Sequence, residues 1–275
     1  MSLRSTVPTP PLVMSLAGSD PTGGAGVQAD ILTLASLGCH PVSVVTAITV
    51  QDSHGVAGVQ AVAAEWVTRQ AQTVLEDMPV AAFKVGLVAS VENIAAIAGI
   101  AGRYPGLPLV LDPVLASGRG DALASASMVQ ALRTQLLPCT TVLTPNSVEA
   151  RRLAGGGEAA SLSLAECARV LLADGARYVL ITGTHEASEQ VENVLYGPGG
   201  EVHRATWPRL PGCYHGSGCT LASAIAGYLA RGCSVPEAVQ AAQAYTWQAL
   251  AQGFAAGSGQ LFPRRFFAGQ ERQDV

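Results

Sequence analysis

Apolar residues along the chain follow two alternating patterns, continuous runs typical of buried strands and helical spacings of three or four residues. The run "PLVMSLAGSD" (11–20) predicts a strand, and the apolar positions of residues 23–38 predict a helix that ends at Gly38. The same alternation continues along the chain. Strands are predicted at 41–55, 81–88, 107–115, 140–146 and 177–184, and helices at 63–78, 90–104, 125–137, 147–155 and 163–176.

Repeated strand–helix units are typical of a mostly parallel sheet, because each helix returns the chain to the same edge. The rhythm changes at residues 189–207, where two short strands around Gly-Pro-Gly-Gly predict a hairpin, and two further helices follow. We therefore predict one three-layer α/β domain over residues 12–256, with helices on both faces of the sheet and the hairpin near its C-terminal third. Residues 1–11 and 257–275 are expected to form flexible or loosely packed termini, with no further domain attached.

Composition supports a large core and excludes several partners. Hydrophobic residues make up 49% of the chain and charged residues 13%, which suits a sheet covered on both faces. The net charge is -4 and no basic run occurs, so neither nucleic acid nor an anionic membrane is a favoured partner. No apolar stretch is long enough to span a bilayer, and the N-terminus lacks a signal-type core, so a cytoplasmic protein is expected. The cysteines form no C-x-x-C pair, which favours free and mostly buried thiols.

In open sheets of this kind, ligands bind beyond the carboxyl ends of the strands. The loop after the first strand, "AGSDPTGGAG", combines glycines that let backbone approach a ligand with the carboxylate of Asp20. Gln51 follows the second strand and offers an amide. Asp112 and Glu149 follow two later strands, and together they indicate a divalent-metal neighbourhood. Asn146 and Glu149 also have the spacing of a capping box at the start of a helix.

The stretch "HGSGCTLASAIAGYLA" (215–230) places a glycine-rich turn directly before a helix. Such a turn presents unpaired N–H groups and the positive end of the helix dipole, so we predict an anion site there. The alternative is an N-terminal cap made by Ser217. Cys219 lies in this turn. The residues alone leave four roles open for it: a nucleophile, a metal ligand, a proton acceptor, or a small residue at the start of a helix.

Six motifs together resemble the hydroxymethylpyrimidine/phosphomethylpyrimidine kinases of thiamine biosynthesis. This family belongs to the ribokinase-like superfamily, in the branch that also contains pyridoxal kinases, and the similarity runs from Leu12 to Phe254. The combination of the first and last motifs is highly specific. The motifs are "LAGSDPTGGAGVQADILTLASLG", "TAITVQDSHGV", "KVGLV", "VLDPV", "LTPNSVEA" and "HGSGCTLASA".

The resemblance implies a ribokinase-like fold and transfer of the ATP γ-phosphoryl group to 4-amino-5-hydroxymethyl-2-methylpyrimidine and then to its monophosphate. It also implies Mg²⁺ and a homodimer. Residues implied to line the pyrimidine pocket are Gln51, Gly18, Asp20, Ala25, Leu87 and Val114. Residues implied to hold magnesium are Asp112 and Glu149, and those implied to face the nucleotide are Asn146, Thr182, His215, Gly216 and Gly218. Residues implied to form the anion hole are Gly216, Ser217, Gly218 and Cys219.

One departure from the family pattern concerns the strand end "ITGTH". Relatives commonly carry "VKGGH" there, so Thr182 stands where a lysine would contact phosphate, and His185 follows nearby. A threonine offers a hydroxyl and no charge, which bears on the second phosphorylation and on the acceptor. Related kinases place an aspartate where Cys219 stands, and the thiol is therefore the expected proton acceptor, with Asp20 in reserve.

Two other functions fit the same scaffold. Pyridoxal kinase shares the fold and the nucleotide, and Thr182 favours it, whereas the amide of Gln51 suits an aminopyrimidine ring. A non-catalytic vitamin-binding protein is the second alternative, against which the retained Asp112 and Glu149 argue. Residues 116–124 are expected to form a loop that closes over the site.

Overall fold

The computed structural model describes residues 8–116, 123–155 and 162–267. Within these residues the strands form one sheet, whose order is β3-β2-β1-β4-β5-β6-β7-β8-β9. Neighbours from β2 to β7 along this order run parallel, and β3, β8 and β9 are antiparallel to their neighbours. The mostly parallel sheet predicted from the sequence is confirmed. The strands are β1 Leu12–Ser19, β2 His40–Gln51, β3 Val56–Ala61, β4 Val80–Val85, β5 Leu109–Leu111, β6 Val142–Leu143, β7 Tyr178–Thr182, β8 Gln190–Gly197 and β9 Gly200–Pro208.

Helices cover both faces of the sheet, as predicted. Alternate residues of a strand point to opposite faces, so Met14 of β1 packs into the core on one face and Val13 into the core on the other. The first core also takes side chains from α2 to α6, and the second from α1, α7 and α8. The helices are α1 Gly26–Ser36, α2 Ala64–Asp77, α3 Val91–Arg103, α4 Ala126–Ala131, α5 Ser147–Gly155, α6 Leu164–Ala173, α7 Ser217–Ala230 and α8 Val235–Ala251.

Three predicted strands differ clearly from those observed, and the one expected over 140–146 is reduced to Val142–Leu143. The strand expected over 41–55 ends at Gln51, and Val56–Ala61 returns antiparallel to it as β3. The tight turn that separates them is held by Asp52, whose carboxylate accepts bonds from the N–H groups of His54 and Gly55. The strand expected over 107–115 is reduced to Leu109–Leu111. The predicted hairpin at 189–207 is confirmed, although its strands are eight and nine residues long rather than short.

The expectation of a loosely packed C-terminus is wrong for the residues that the structure describes. Phe262 and Arg265 are each only 5% exposed, and both pack against the loops of the ligand-facing edge. The sequence pattern does not reveal that this segment is packed. Its buried residues contact the rest of the domain one at a time, and not as part of a helix or strand with a periodic apolar face. Residues 268–275 and 1–7 lie outside the described part, as do 117–122 of the loop expected to close over the site. No helix in the described residues is both long and apolar enough to cross a membrane.

Candidate active site

The loop after β1 is shaped by the carboxylate of Asp20. This fully buried side chain accepts hydrogen bonds from Thr22 N at 2.8 Å and Ala25 N at 2.6 Å, and the ring Nε2 of His215 lies 2.9 Å from it. Burial acts to raise the pKa of Asp20, but the bonds from His215, Thr22 and Ala25 outweigh it and hold the pKa at about 2. A carboxylate so fully engaged is a poor proton acceptor at neutral pH. Its contacts make it the residue that folds the loop.

The turn before α7 meets this loop at a very short distance. Gly216 has a φ of 73°, and a Cβ at this position would stand 2.0 Å from the carbonyl oxygen of Gly24. Only glycine fits such a contact and such a φ. Gly216 is also the N-cap of α7, and no side chain caps the helix, so the alternative of a cap by Ser217 is wrong. The first N–H groups of α7 therefore have no intrahelical partner, which is the requirement for an anion site.

The Asp112 carboxylate faces this turn from the end of β5. A side-chain carbon at Gly218 would stand 3.6 Å from Asp112 Oδ1, and the Cys219 thiol is a hydrogen-bond neighbour of the same carboxylate. Burial, together with the negative charges of Asp112 and Asp30, raises the pKa of the Cys219 thiol to about 12, although Lys84 acts in the opposite direction. The thiol is therefore protonated at neutral pH.

Asp112 and Glu149 form a pair of carboxyl groups that lack an ion-pair partner within the described residues. Burial raises the pKa of Asp112 against the opposing charge of Lys84. Burial and then the charge of Asp112 raise the pKa of Glu149 to about 8. A buried carboxyl group at Asp112 and a partly exposed one at Glu149, close enough for the first to raise the pKa of the second, suit a divalent cation. No group of three or more acidic, histidine or cysteine side chains with metal-binding geometry occurs in the described residues. The pair thus fits Mg²⁺, which takes one or two carboxylates and completes its shell with water and phosphate oxygens.

Asn146 and Glu149 form the capping box that their spacing predicts. Asn146 Oδ1 accepts the N–H of Val148 at 3.0 Å and that of Glu149 at 2.9 Å, and Glu149 Oε2 accepts Asn146 N at 3.0 Å. Thr182, at the end of β7, lies beside Asn146 through a single bridge, and its N–H donates to Pro145 O at 3.0 Å. These residues therefore line adjacent strand ends.

The residues predicted for the pyrimidine pocket lie at the ends of β1, β2, β4 and β5. Gly18 is buried, and a side-chain carbon there would stand 3.1 Å from Leu87 Cδ2. Gln51 ends β2 and is partly exposed, as are Leu87, Ala25 and Val114. The glycine at position 18 therefore lets Leu87 pack directly against the end of β1.

A buried ion pair under the site was not predicted. Lys84 and Asp30 are both fully buried, with Lys84 Nζ 2.8 Å from Asp30 Oδ1. Ser15 and Ser223 donate to the same carboxylate at 2.5 and 2.7 Å. Burial alone would lower the pKa of Lys84, but Asp30 holds it above its usual range. The one sequence signal was a lysine within the otherwise apolar β4, which is unusual unless the charge is paired.

A helix N-terminus that faces the buried carboxylate of Asp112, with Glu149 near that carboxylate, on a mostly parallel sheet covered on both faces, is the arrangement of a small-molecule kinase of the ribokinase-like class. The chain belongs to the phosphomethylpyrimidine kinase family, whose model matches residues 20–263. It is 44% identical to the hydroxymethylpyrimidine/phosphomethylpyrimidine kinase of Streptomyces coelicolor, over 91% of this chain and 93% of that protein. The resemblance drawn from the motifs is confirmed.

Solved structures agree with this assignment of the fold. The ADP complex of Bacillus subtilis pyridoxal kinase superposes with a TM-score of 0.83 at 29% identity, covering 94% of this chain and 98% of that one. Phosphomethylpyrimidine kinase from Clostridium difficile gives a TM-score of 0.74 at 33% identity, covering 87% and 99%. The predicted ribokinase-like fold is thereby confirmed.

Proposed function

We propose that the chain transfers the γ-phosphoryl group of ATP to 4-amino-5-hydroxymethyl-2-methylpyrimidine, and then phosphorylates the monophosphate to give the diphosphate. The observation that carries this proposal is the approach of the Asp112 carboxylate to Gly218 at the uncapped N-terminus of α7. Phosphoryl transfer needs positioning and charge neutralisation more than covalent chemistry. A helix N-terminus and a carboxylate pair, facing each other, supply both.

The acceptor is placed by the loops after β1 and β2. In this proposal the Gln51 amide pairs with a ring nitrogen and the exocyclic amine of the pyrimidine, while Leu87 and Val114 contact its faces. Gly18 and Ala25 complete the pocket without adding side-chain bulk. The hydroxymethyl group then points toward Cys219.

The phosphates are placed by the turn before α7. The N–H groups of Gly216, Ser217, Gly218 and Cys219 receive the oxygens of the transferred group, where the positive end of the helix dipole favours negative charge. Asn146 and Thr182 border the nucleotide on the neighbouring strand ends, and the His215 ring holds the turn against the Asp20 loop.

Asp112 and Glu149 would hold Mg²⁺, partly through water. When bound, the ion neutralises phosphate charge and orients the oxygens. The raised pKa of Glu149 supports this role, because burial and then the charge of Asp112 raise it, and a bound cation would offset both effects.

The Cys219 thiol serves in this proposal as a hydrogen-bonding neighbour of the acceptor oxygen, and not as its base. A pKa of about 12 leaves too little thiolate for proton abstraction at neutral pH. A loose transition state places little demand on a base, since the acceptor proton leaves late. The contribution of Cys219 therefore comes mostly from its backbone N–H.

A coupled assay of ATP turnover tests the proposal with three separate acceptors. The pyrimidine alcohol and its monophosphate should both support turnover, and pyridoxal should give a kcat/KM at least about tenfold lower. Equal or faster turnover of pyridoxal would assign the chain to vitamin kinases of broader range, an outcome that Thr182 and the pyridoxal kinase neighbours make worth measuring. Binding of the pyrimidine without any ATP turnover would contradict catalysis altogether.

We further propose a homodimer formed through the β2–β3 hairpin, in a cytoplasmic enzyme whose six cysteines stay free. Ile48 and Val50 project from one face of β2 and are 57% and 66% exposed. Light scattering after gel filtration should show a dimer for the wild-type chain and a monomer for Val50→Glu. Val202→Glu, at an exposed position on β9, is the control that should leave the mass unchanged.

A further inference from the structure

Residues 259–265, here called the C-terminal strap, cross over the two glycine-rich loops of the site. Gln260 N donates to Ser53 O at 2.8 Å, in the turn between β2 and β3. Leu261 N donates to Cys213 O at 2.8 Å, just before the turn that opens α7. The strap is therefore attached to the substrate side and the phosphate side of the site at once.

Phe262 brings the strap against the loop after β1. Its ring packs edge-on to the His215 ring, with centroids 5.7 Å apart. A side-chain carbon at Gly24 would stand 2.5 Å from the Phe262 ring and 2.3 Å from His215. The glycine at position 24 is thus required for the three segments to meet.

Arg265 ends the strap beneath the anion turn. Its guanidinium donates to Gly23 O at 3.4 Å, Gly24 O at 2.5 Å and Thr220 Oγ1 at 3.1 Å. Thr220 Oγ1 in turn donates to Gly216 O at 2.8 Å. One side chain therefore joins the loop after β1 to the first turn of α7.

Arg265 forms no direct ion pair among the described residues, and the charges of Asp30 and Asp20 act on it only from a longer distance. All three of its acceptors are neutral, and among the described residues no carboxylate lies within 4.0 Å of it, although it is only 5% exposed. Lys84, the other buried cation near the site, has Asp30 at 2.8 Å. Burial accordingly lowers the pKa of Arg265. A buried cation without a paired anion is costly, and such a cost is offset when a ligand supplies the negative charge.

The bonds from Arg265 also act on the backbone dipoles. The Gly24 carbonyl oxygen lies against Gly216, and the guanidinium bonds to it and to the carbonyl oxygen of Gly23. The positive charge of Arg265 thus offsets the partial negative charges of two carbonyl groups next to the turn before α7.

We propose that Arg265 is a positioning residue that supplies, from beneath the turn, positive charge for the ATP phosphates and holds the two glycine-rich loops together. The inference rests on the proposed function, because it takes a nucleotide as the anion.

Calorimetric binding of ADP and of adenosine tests this assignment, since only ADP carries phosphate. A general loss of structure would weaken the binding of both ligands, so a change in the ratio of the two affinities reports on the phosphate groups alone. Arg265→Gln should weaken ADP binding by about tenfold or more, as expected for charges several ångströms apart at an effective dielectric of about 20, and leave adenosine binding within about twofold. Arg264→Gln is the matched control, because Arg264 is exposed and lies over the Phe254 ring instead. It should change neither affinity.

Arg265→Lys keeps the positive charge but loses the hydrogen-bonding geometry of the guanidinium, so it separates the two contributions. It also provides the test if Arg265→Gln does not fold. It should keep the ratio of ADP to adenosine affinity within about threefold of wild type, while lowering the unfolding temperature because the three-way bonding is lost. An equal loss of both affinities in Arg265→Gln, or a loss of the ratio in Arg265→Lys as large as tenfold, would overturn the assignment. Failure of the wild-type chain to bind ADP would instead contradict the proposed function.

Discussion

The carbonyl oxygen of Gly24 lies so close to Gly216 that a methyl group on Gly216 would stand 2.0 Å from it. This contact joins the loop that folds around Asp20 to the turn that opens α7. The two loops proposed to hold the acceptor and the phosphates are therefore positioned relative to each other by backbone, and side chains such as His215 and Arg265 reinforce the contact.

Gly216→Ala should separate the two loops. The added carbon meets backbone, which cannot move aside as a flexible side chain would, and the φ of 73° is strained for alanine as well. We expect kcat/KM to fall by more than about 100-fold, consistent with misplaced reacting groups. Gly218→Ala is the control for stability, because its added carbon meets nothing closer than 3.6 Å. An unfolding temperature and activity near wild type in Gly216→Ala would contradict the importance of the contact.

Cys219→Ala should reduce kcat by less than about tenfold, because the proposal uses the backbone N–H of this residue and a protonated thiol. The pH dependence of kcat should keep its shape, and Cys219→Ser should behave in the same way. Steady-state assays with the pyrimidine alcohol from pH 6 to pH 9 measure both quantities. A loss of about 100-fold or more would identify the thiol as the base, since general-base catalysis contributes on that scale.

The buried pair of Lys84 and Asp30 predicts a non-additive stability effect. Lys84→Met leaves an unpaired carboxylate in the core and should cost about 3–5 kcal/mol in the free energy of unfolding. The double variant Lys84→Met with Asp30→Leu removes both charges, and it should be at least about 1 kcal/mol more stable than Lys84→Met alone.

Urea unfolding of the two single variants and the double variant measures this coupling. Arg204→Gln supplies the contrast, because Arg204 forms exposed ion pairs with Glu192 and Glu201 and should contribute less than about 1 kcal/mol. Additive losses in the double variant would show that the two buried charges do not stabilise each other.

The sequence predicted the layered fold because alternating apolar patterns record which face of each element is buried. It predicted the turn before α7 because two glycines directly before a helical pattern are typical of a turn that leaves backbone N–H groups open. It did not reveal the ion pair of Lys84 with Asp30. The two residues are far apart in sequence and meet only when α1 packs on the sheet that contains β4. Arg265 escaped notice for a similar reason. Its burial depends on single contacts of an irregular segment, and such contacts leave no periodicity to detect.

The sequence also indicated residue types more reliably than their roles. Asp20 was a reserve candidate for proton handling, but its partners Thr22, Ala25 and His215 are set by loop conformation, which composition does not reveal. For Asp112 and Glu149 the pattern was sufficient to predict that the two residues lie near each other, because the carboxyl ends of neighbouring parallel strands meet at one edge of the sheet.

Glu149 predicts how stability depends on pH. Its pKa in the folded chain is raised from 4.5 to about 8, so the folded state holds this proton more tightly than the unfolded state does. The stability that Glu149 contributes is present below about pH 4.5 and is lost as pH rises toward 8, at up to about 1.4 kcal/mol per pH unit.

Glu149→Gln removes this dependence, so without Mg²⁺ its unfolding temperature relative to wild type should increase between pH 5 and pH 8.5. Glu166→Gln is the control without pH dependence, because hydrogen bonds from Ser163 lower the pKa of that exposed carboxyl group, whose contribution is lost only below about pH 5. Thermal unfolding of the three proteins across this range measures the effect. If the curves of Glu149→Gln and wild type stay parallel, the pKa of Glu149 is not raised in the folded chain, and the main support for a cation site at Asp112 and Glu149 is lost.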